Sequence, residues 1–292
     1  MIGLYTHGTR FYQLEGWRYL ISRYIFRKQR GPDAVCESLV RGLKELGVEF
    51  ALNPKQPQEV AVVLSGTEAL RQALAAKFSG QIKKLIVGPN IVIHPYHAER
   101  IICDEAIDIV LVPSKWVADF WSHEAPALNS KIRIWPAGVA VSSASTRMGQ
   151  PIIYDKLGDK DLLAGAEATM GTDVRKFTYG QFSRQKYLKA LTDAPVVIYL
   201  SRSESQGLAL QEAWAHDVPT LVNKSTHWEG VGLSWDSPQI NCPYLTPELG
   251  AVFENLEELP RMIEKSLLLH PKHYCDKHLS DRASVQALLK LI

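Results

Sequence analysis

Short runs of consecutive apolar residues recur along the chain, separated by longer stretches in which apolar positions return every third or fourth residue. The runs of the first half are IGLY at 2 to 5, VEFAL at 48 to 52, VAVVL at 60 to 64, KLIVG at 84 to 88, IVLV at 109 to 112 and IRIW at 132 to 135. Runs this short predict strands buried on both faces, and the amphipathic stretches between them, such as 33 to 46 and 67 to 78, predict helices. Strands that alternate with helices require crossover connections, so the expected class is α/β with mostly parallel sheets covered on both sides.

After IRIWPAGVAV the periodicity stops in the small, polar segment SSASTRMGQ, and PIIY at 151 to 154 starts it again. It continues through VRKFTYG, VVIYL at 196 to 200, PTLV at 219 to 222 and GAVF at 250 to 253, with helical patterns at 256 to 268 and near the C-terminal end. The expected organisation is therefore an α/β domain over 1 to 139, a linker over 140 to 150 and a second α/β domain over 151 to 292, whose last helix is free to cross back. Two such domains place a cleft between them, with ligands beyond the carboxyl ends of the strands.

Composition removes several classes. With 33 Lys+Arg against 31 Asp+Glu the formal net charge is +2, which gives no field for nucleic acid, and no nucleic-acid partner is expected. The four cysteines are far apart without a CxxC pair, as reduced thiols of a cytoplasmic protein are. The opening MIGLYTHGTRF is too short for a signal segment, and no stretch reaches the about 18 apolar residues of a membrane span. Residues 10 to 30 interleave Arg10, Arg18, Arg23, Arg27, Lys28 and Arg30 with Phe11, Tyr12, Trp17, Tyr19, Tyr24 and Phe26. That pattern suits either a partly buried helix with snorkelling arginines or a peripheral contact at the inner face of a membrane.

The candidate chemistry lies in VVIYLSRSESQGLALQEAWAHDVPTLV, residues 196 to 222. A strand ends at Leu200, a polar loop follows, a helix opens near Gly207, and Pro219 introduces the next strand. A helix start offers free N–H groups and a positive dipole end to an anion, and glycine allows close approach. Two carboxylates flank the opening, Glu204 in the loop and Glu212 on the helix. By themselves they read equally as a carboxylate at a helix start and a solvated helix residue.

The string SESQGLALQE followed by AWAHDVPT resembles the Glu-x7-Glu signature of glycosyltransferase family 4 and related GT-B enzymes. VPSKWVADFW at 112 to 121 with KIRIWPAGV at 131 to 139, TYGQFSRQKYLKALTDAPVVIYL, and GAVFENLEELPRMIEKSL are similar to further passages of that family. The resemblance implies a GT-B architecture, two Rossmann-like domains facing each other across a cleft. It also implies a retaining transfer from a nucleotide-diphosphate-sugar donor to a carbohydrate or lipid-linked acceptor, in glycan or glycolipid biosynthesis. No cofactor beyond the donor and no protein-held metal are implied. Glu204 would meet the donor-sugar hydroxyls and Glu212 the ribose, with Ser205, Gln206, Gly207 and Leu208 facing sugar and diphosphate. In such enzymes the diphosphate departs and the acceptor attacks on one face of the sugar, so no dedicated nucleophile is needed.

Other positions match the family less closely. Its usual basic loop is replaced by YDKLGDKDLL, where Lys156 is the best substitute and Lys160 the alternative. Gly31, followed by Pro32, takes the place of the N-terminal glycine loop, or else is a plain helix start. His94 stands where some relatives carry a catalytic-cleft histidine, while a structural role or a metal pair with His97 are the other readings. Asp217 replaces a glycine at the end of the signature helix, and Ser114 is a natural N-cap. Asp159 and Asp161 form an isolated DxD of little weight, and the absence of GxGxxG after the first strand disfavours a nicotinamide enzyme. The alternatives in function are a GT-B phosphorylase or nucleotide-sugar epimerase, and a non-catalytic nucleotide-sugar binding protein.

Overall fold

The structure, a computed structural model, describes residues 1 to 6, 31 to 171, 173 to 230 and 233 to 292. The basic and aromatic segment 10 to 30 lies outside the described residues. The chain divides into two compact units, Met1–Gly138 with Asp281–Ile292, and Val139–Ser280.

Unit 1 contains β1 (Ile2–Tyr5), α1 (Gly31–Glu45), β2 (Phe50–Leu52), β3 (Val60–Ser65), α2 (Thr67–Phe78), β4 (Lys84–Asn90), β5 (Ile109–Val112), α3 (Lys115–Glu124) and β6 (Ile132–Ile134). Its sheet is parallel throughout, in the order β2-β1-β3-β4-β5-β6. Residues 61 to 64 are fully buried, which is why VAVVL carries no alternation. The run IRIW is a strand only to Ile134, and Trp135 is instead a core residue just beyond it. Ser114 occupies the N-cap position of α3, as expected, although its side chain makes no capping bond.

Unit 2 contains β7 (Ile152–Asp155), α4 (Lys160–Met170), β8 (Arg175–Thr178), α5 (Arg184–Leu191), β9 (Val197–Leu200), α6 (Leu208–Ala215), β10 (Thr220–Asn223), β11 (His227–Gly230), β12 (Leu233–Asp236), β13 (Gly250–Phe253), α7 (Leu259–Ser266) and α8 (Pro271–His278). Its main sheet is parallel with the order β13-β10-β9-β7-β8. Alternate strand residues feed two cores: Ile152, Tyr154, Val197 and Tyr199 pack with Leu210, Ala213 and Trp214 of α6, while Ile153, Ile198 and Leu221 pack with Leu259 of α7. Sequence reasoning found no element between β10 and β13, where the structure has the antiparallel hairpin β11–β12 pairing Trp228 with Trp235. Its strands are mixed in polarity, so the apolar-run criterion passes over them.

The last helix, α9 (Asp281–Leu289), belongs to unit 1 and packs on α1. Gly42 makes the approach possible, since a Cβ there would lie 2.4 Å from the Asp281 carbonyl oxygen and 2.5 Å from Val285. Trp135 Nε1 donates to the Ser284 carbonyl at 2.9 Å, and Arg41 Nε pairs with Asp281 at 2.5 Å. The chain leaves unit 1 at Val139 and returns at Asp281, and these crossings are neighbours, Val139 N donating to the Leu279 carbonyl at 2.9 Å and Val139 bridging Ser280.

The segment expected as a linker is bonded to unit 2 along its length. Ser145 N donates to the His216 carbonyl at 2.6 Å, Thr146 N to Thr192 at 3.0 Å and Gly149 N to Asp193 at 2.8 Å. Arg147 reaches the Leu267 and Leu269 carbonyls, each at 2.7 Å, and Asp217 Oδ2 at 3.0 Å. Asp217 ends α6 in the left-handed region at φ 63, and also accepts from Lys272 N at 3.1 Å and meets His270 Nδ1 at 2.9 Å. Asn tolerates that backbone but carries no charge. Asp217→Asn is therefore expected to cost about 2 kcal/mol, read as a lower urea midpoint with an unchanged slope. An unmoved midpoint would show that the cluster adds nothing to stability.

No helix among the described residues is long and apolar enough to cross a membrane.

Candidate active site

In an open parallel sheet the ligand crevice forms where successive connections leave in opposite directions. In unit 2 the chain goes from β7 outward to β8 and returns to β9 on the other side of β7, so the switch lies between the carboxyl ends of β7 and β9. Lys156 and the loop that carries Glu204 follow those two ends directly.

Lys156 Nζ donates to Glu204 Oε1 at 2.8 Å. The same oxygen accepts from Tyr199 OH at 2.8 Å and from Ser201 Oγ at 3.5 Å. Glu204 is 5% exposed, and its N–H donates to the Asn241 carbonyl at 3.0 Å. Asn241 Nδ2 in turn donates to the Ser201 carbonyl at 2.6 Å, and Ser201 N to Asn223 Oδ1 at 2.8 Å, so three neighbouring strand ends hold this one carboxylate. Asp155 shapes the other side, accepting the Leu157 and Gly158 N–H groups at 3.1 and 2.9 Å in a turn that directs Lys156. Lys156 Nζ also lies 5.0 Å from the centre of the exposed Tyr179 ring.

Tyr154 and Tyr199 stand opposite each other in register on β7 and β9, their rings stacked at 4.7 Å. Burial, and next the Glu204 charge, hold both phenols well above the ordinary tyrosine range. Tyr199 therefore stays a proton donor to the carboxylate through neutral pH. The same two causes, in the same order, raise the Cys242 thiol, which leaves it inert rather than nucleophilic.

Gly207 caps α6 at φ 82, ψ 53, a conformation natural to glycine, and a Cβ there would lie 2.9 Å from Leu210 Cδ1. Before it, Gln206 is buried and donates from Nε2 to Gln211 Oε1 at 3.0 Å. Ser205 is exposed, Gly207 buried and Leu208 half-buried. Glu212 is only 6% exposed, which removes the reading of it as a solvated helix residue. Residues 210 to 215 are all buried, because α6 packs under the sheet and beside α5 and α8. Arg184 Nε donates to Glu212 Oε1 at 2.5 Å.

Glu204, Gln206, Gly207, Leu208, Glu212 and Lys156 thus occur together in unit 2, while Gly31 and His94 belong to unit 1. Gly31 is the exposed first residue of α1 rather than part of a loop, and nothing lies within 4 Å of the Cβ it lacks. His94 is 6% exposed, with Nε2 3.2 Å from Glu124 Oε2 and Nδ1 accepting from Tyr96 N at 3.2 Å. Lys160 is the exposed first residue of α4. The isolated DxD has a local explanation, since Asp159 caps α4 by accepting from Asp161 N and Leu162 N. Among the described residues no group of three or more His, Cys, Asp or Glu is placed to hold a metal ion.

Sequence reasoning missed Arg184, Tyr199 and Asn241. A signal existed for Arg184: it follows the N-cap Ser183 directly, and a cation in the first turn of a helix opposes the dipole unless it has a partner.

No protein-family model matches the chain, and no curated protein matches it. Solved structures do match. The lipopolysaccharide outer core galactosyltransferase WaaB in its apo form aligns over 100% of this chain and 99% of its own, with a TM-score of 0.60 and 11% identity. Sucrose-phosphate synthase from Thermosynechococcus elongatus aligns over 89% of this chain and 76% of its own, with a TM-score of 0.53 and 12% identity. A variant of S. aureus TarM in complex with Fondaparinux, alpha-GlcNAc-glycerol and UDP aligns over 88% of this chain and 58% of its own, with a TM-score of 0.50 and 14% identity. At such identities the likeness establishes architecture: the chain has two Rossmann-like α/β units of parallel sheet, and the structures it is similar to are glycosyltransferases of the GT-B fold.

Proposed function

We propose that the chain is a retaining glycosyltransferase that takes a sugar from a nucleoside-diphosphate sugar held in unit 2 and passes it to a carbohydrate or lipid-linked acceptor in glycan or glycolipid assembly. The observation that carries this reading is the pair of buried carboxylates around the start of α6, each held by a cation, Glu204 by Lys156 and Glu212 by Arg184. A carboxylate fixed in this way accepts from sugar hydroxyls in one direction only, and the N–H groups that open α6 suit a diphosphate. The galactosyltransferase name of WaaB and the UDP bound to TarM agree with it.

In this reading Glu204 orients the donor sugar, Glu212 takes the ribose hydroxyls, and Lys156 with the amides at Gln206, Gly207 and Leu208 meets the charge that develops on the departing diphosphate. The acceptor oxygen attacks from the face the diphosphate leaves, and the leaving group takes up the acceptor's proton. No cofactor other than the donor enters the reaction.

Calorimetric titration with uridine, adenosine and guanosine diphosphates tests the reading. One of them is expected to bind, and Glu212→Ala to weaken it by about tenfold to a hundredfold, the worth of one or two hydrogen bonds to a charged group. Affinity for none of the three, or full affinity in Glu212→Ala, removes the site from unit 2. Binding without turnover on any donor would favour the non-catalytic alternative.

A further inference from the structure

Arg184 is the first residue of α5 and is held there from two sides. Ser183 caps the helix by accepting from Lys186 N at 3.4 Å, and one turn on, Tyr187 OH donates to the Ala209 carbonyl of α6 at 3.0 Å. The arginine consequently faces α6 with little freedom, and its Nε meets Glu212 Oε1 at 2.5 Å. The pair is asymmetric, with the arginine side chain 26% exposed and the glutamate side chain 7%. The Glu212 charge is felt by the buried phenols of Tyr154 and Tyr187. Burial first, then the Tyr154 and Glu212 charges, hold Tyr187 well above its ordinary range, so it remains a neutral phenol.

We propose that Arg184 is a positioning residue that fixes the charge and direction of Glu212, and so sets how strongly the site prefers a ribose to a dideoxyribose in the nucleoside diphosphate it binds. This rests on the reading of Glu212 as the ribose carboxylate. A site that discriminates two hydroxyls must present carboxylate oxygens already aligned, because a carboxylate free to rotate loses the difference between a ligand that pairs with it and one that does not. The bond through Nε to one oxygen sets that alignment. A lysine at the same position would retain the charge but not the planar fork that fixes the direction.

The test is calorimetric titration of the full chain and of Arg184→Met and Arg184→Lys. The probes are the uridine, adenosine or guanosine diphosphate that binds and its 2′,3′-dideoxy counterpart. The parent is expected to bind the ribo form about tenfold or more tightly than the dideoxy form. In Arg184→Met the ratio falls toward one, chiefly through loss of ribo affinity, and Arg184→Lys lies between. A merely structural role would weaken both ligands equally and leave the ratio alone, and that result overturns the proposal. Should Arg184→Met not fold, Arg184→Lys decides: a reduced ratio supports the proposal and a full one overturns it. A parent that binds without ribo preference would remove the ribose reading of Glu212 together with this inference. A parental preference that survives in both variants removes this inference alone.

Discussion

Glu204→Gln is expected to lower turnover by about a hundredfold, close to 3 kcal/mol at the transition state, while the affinity for the bare nucleoside diphosphate stays near the parental value. Glutamine fills the same volume, keeps the backbone N–H bond to Asn241 and still offers an oxygen to Tyr199 and Lys156. What it loses is the charge, which in the proposed transfer matters most as the bond from sugar to phosphate breaks. Freed from its ion pair, Lys156 becomes more available to phosphate, so nucleotide affinity should hold or rise slightly. The measurement is the turnover number beside the dissociation constant of the diphosphate. Parental turnover would show that Glu204 only anchors Lys156.

The largest effect on stability is expected from Gly42→Leu, on the face of α1 that receives α9. A Cβ at that position already meets the Asp281 carbonyl oxygen at 2.4 Å, so a leucine forces α9 off its seat and bares Val285 and Leu288. Overpacking against backbone with loss of the helix contact costs about 3 kcal/mol or more, read as a fall of roughly 10 °C in the unfolding transition of unit 1. Nucleotide affinity is the control, because the residues proposed to hold the donor belong to unit 2. An unchanged transition would mean that α9 does not pack on Gly42.

The strands were legible where both faces are covered. VAVVL became β3 and VVIYL became β9 because complete burial leaves a run of apolar residues that needs no context. The strand, helix start and following strand at 196 to 222 were legible for a different reason, since a buried strand, a glycine at positive φ and a following proline are each local demands of the backbone. What could not be read locally depends on neighbours. Glu212 looks solvated in sequence, yet residues 210 to 215 are all buried, because α5 and α8 pack against α6. Arg184 and Glu212 are 28 residues apart in the chain and meet because α5 packs against α6, where Tyr187 OH also bonds the Ala209 carbonyl. The segment at 140 to 150 is small and polar because it is bound through backbone groups and Arg147, and composition alone does not separate that from a tether.

The side-by-side crossings at Val139 and Ser280 make unit 2 an insertion within unit 1, and this fixes an order of maturation on the ribosome. Synthesis runs in one direction, and domains close as units once their residues have emerged. Every residue of unit 2 has been made when Ser280 is added, whereas α9 is still to come. The half of the molecule encoded second is thus the first able to finish its core. Until α9 arrives, the stripe of α1 that carries Arg41 and Gly42 lacks its partner, and the nascent chain carries a unit 2 able to finish its core and a unit 1 that is not yet complete.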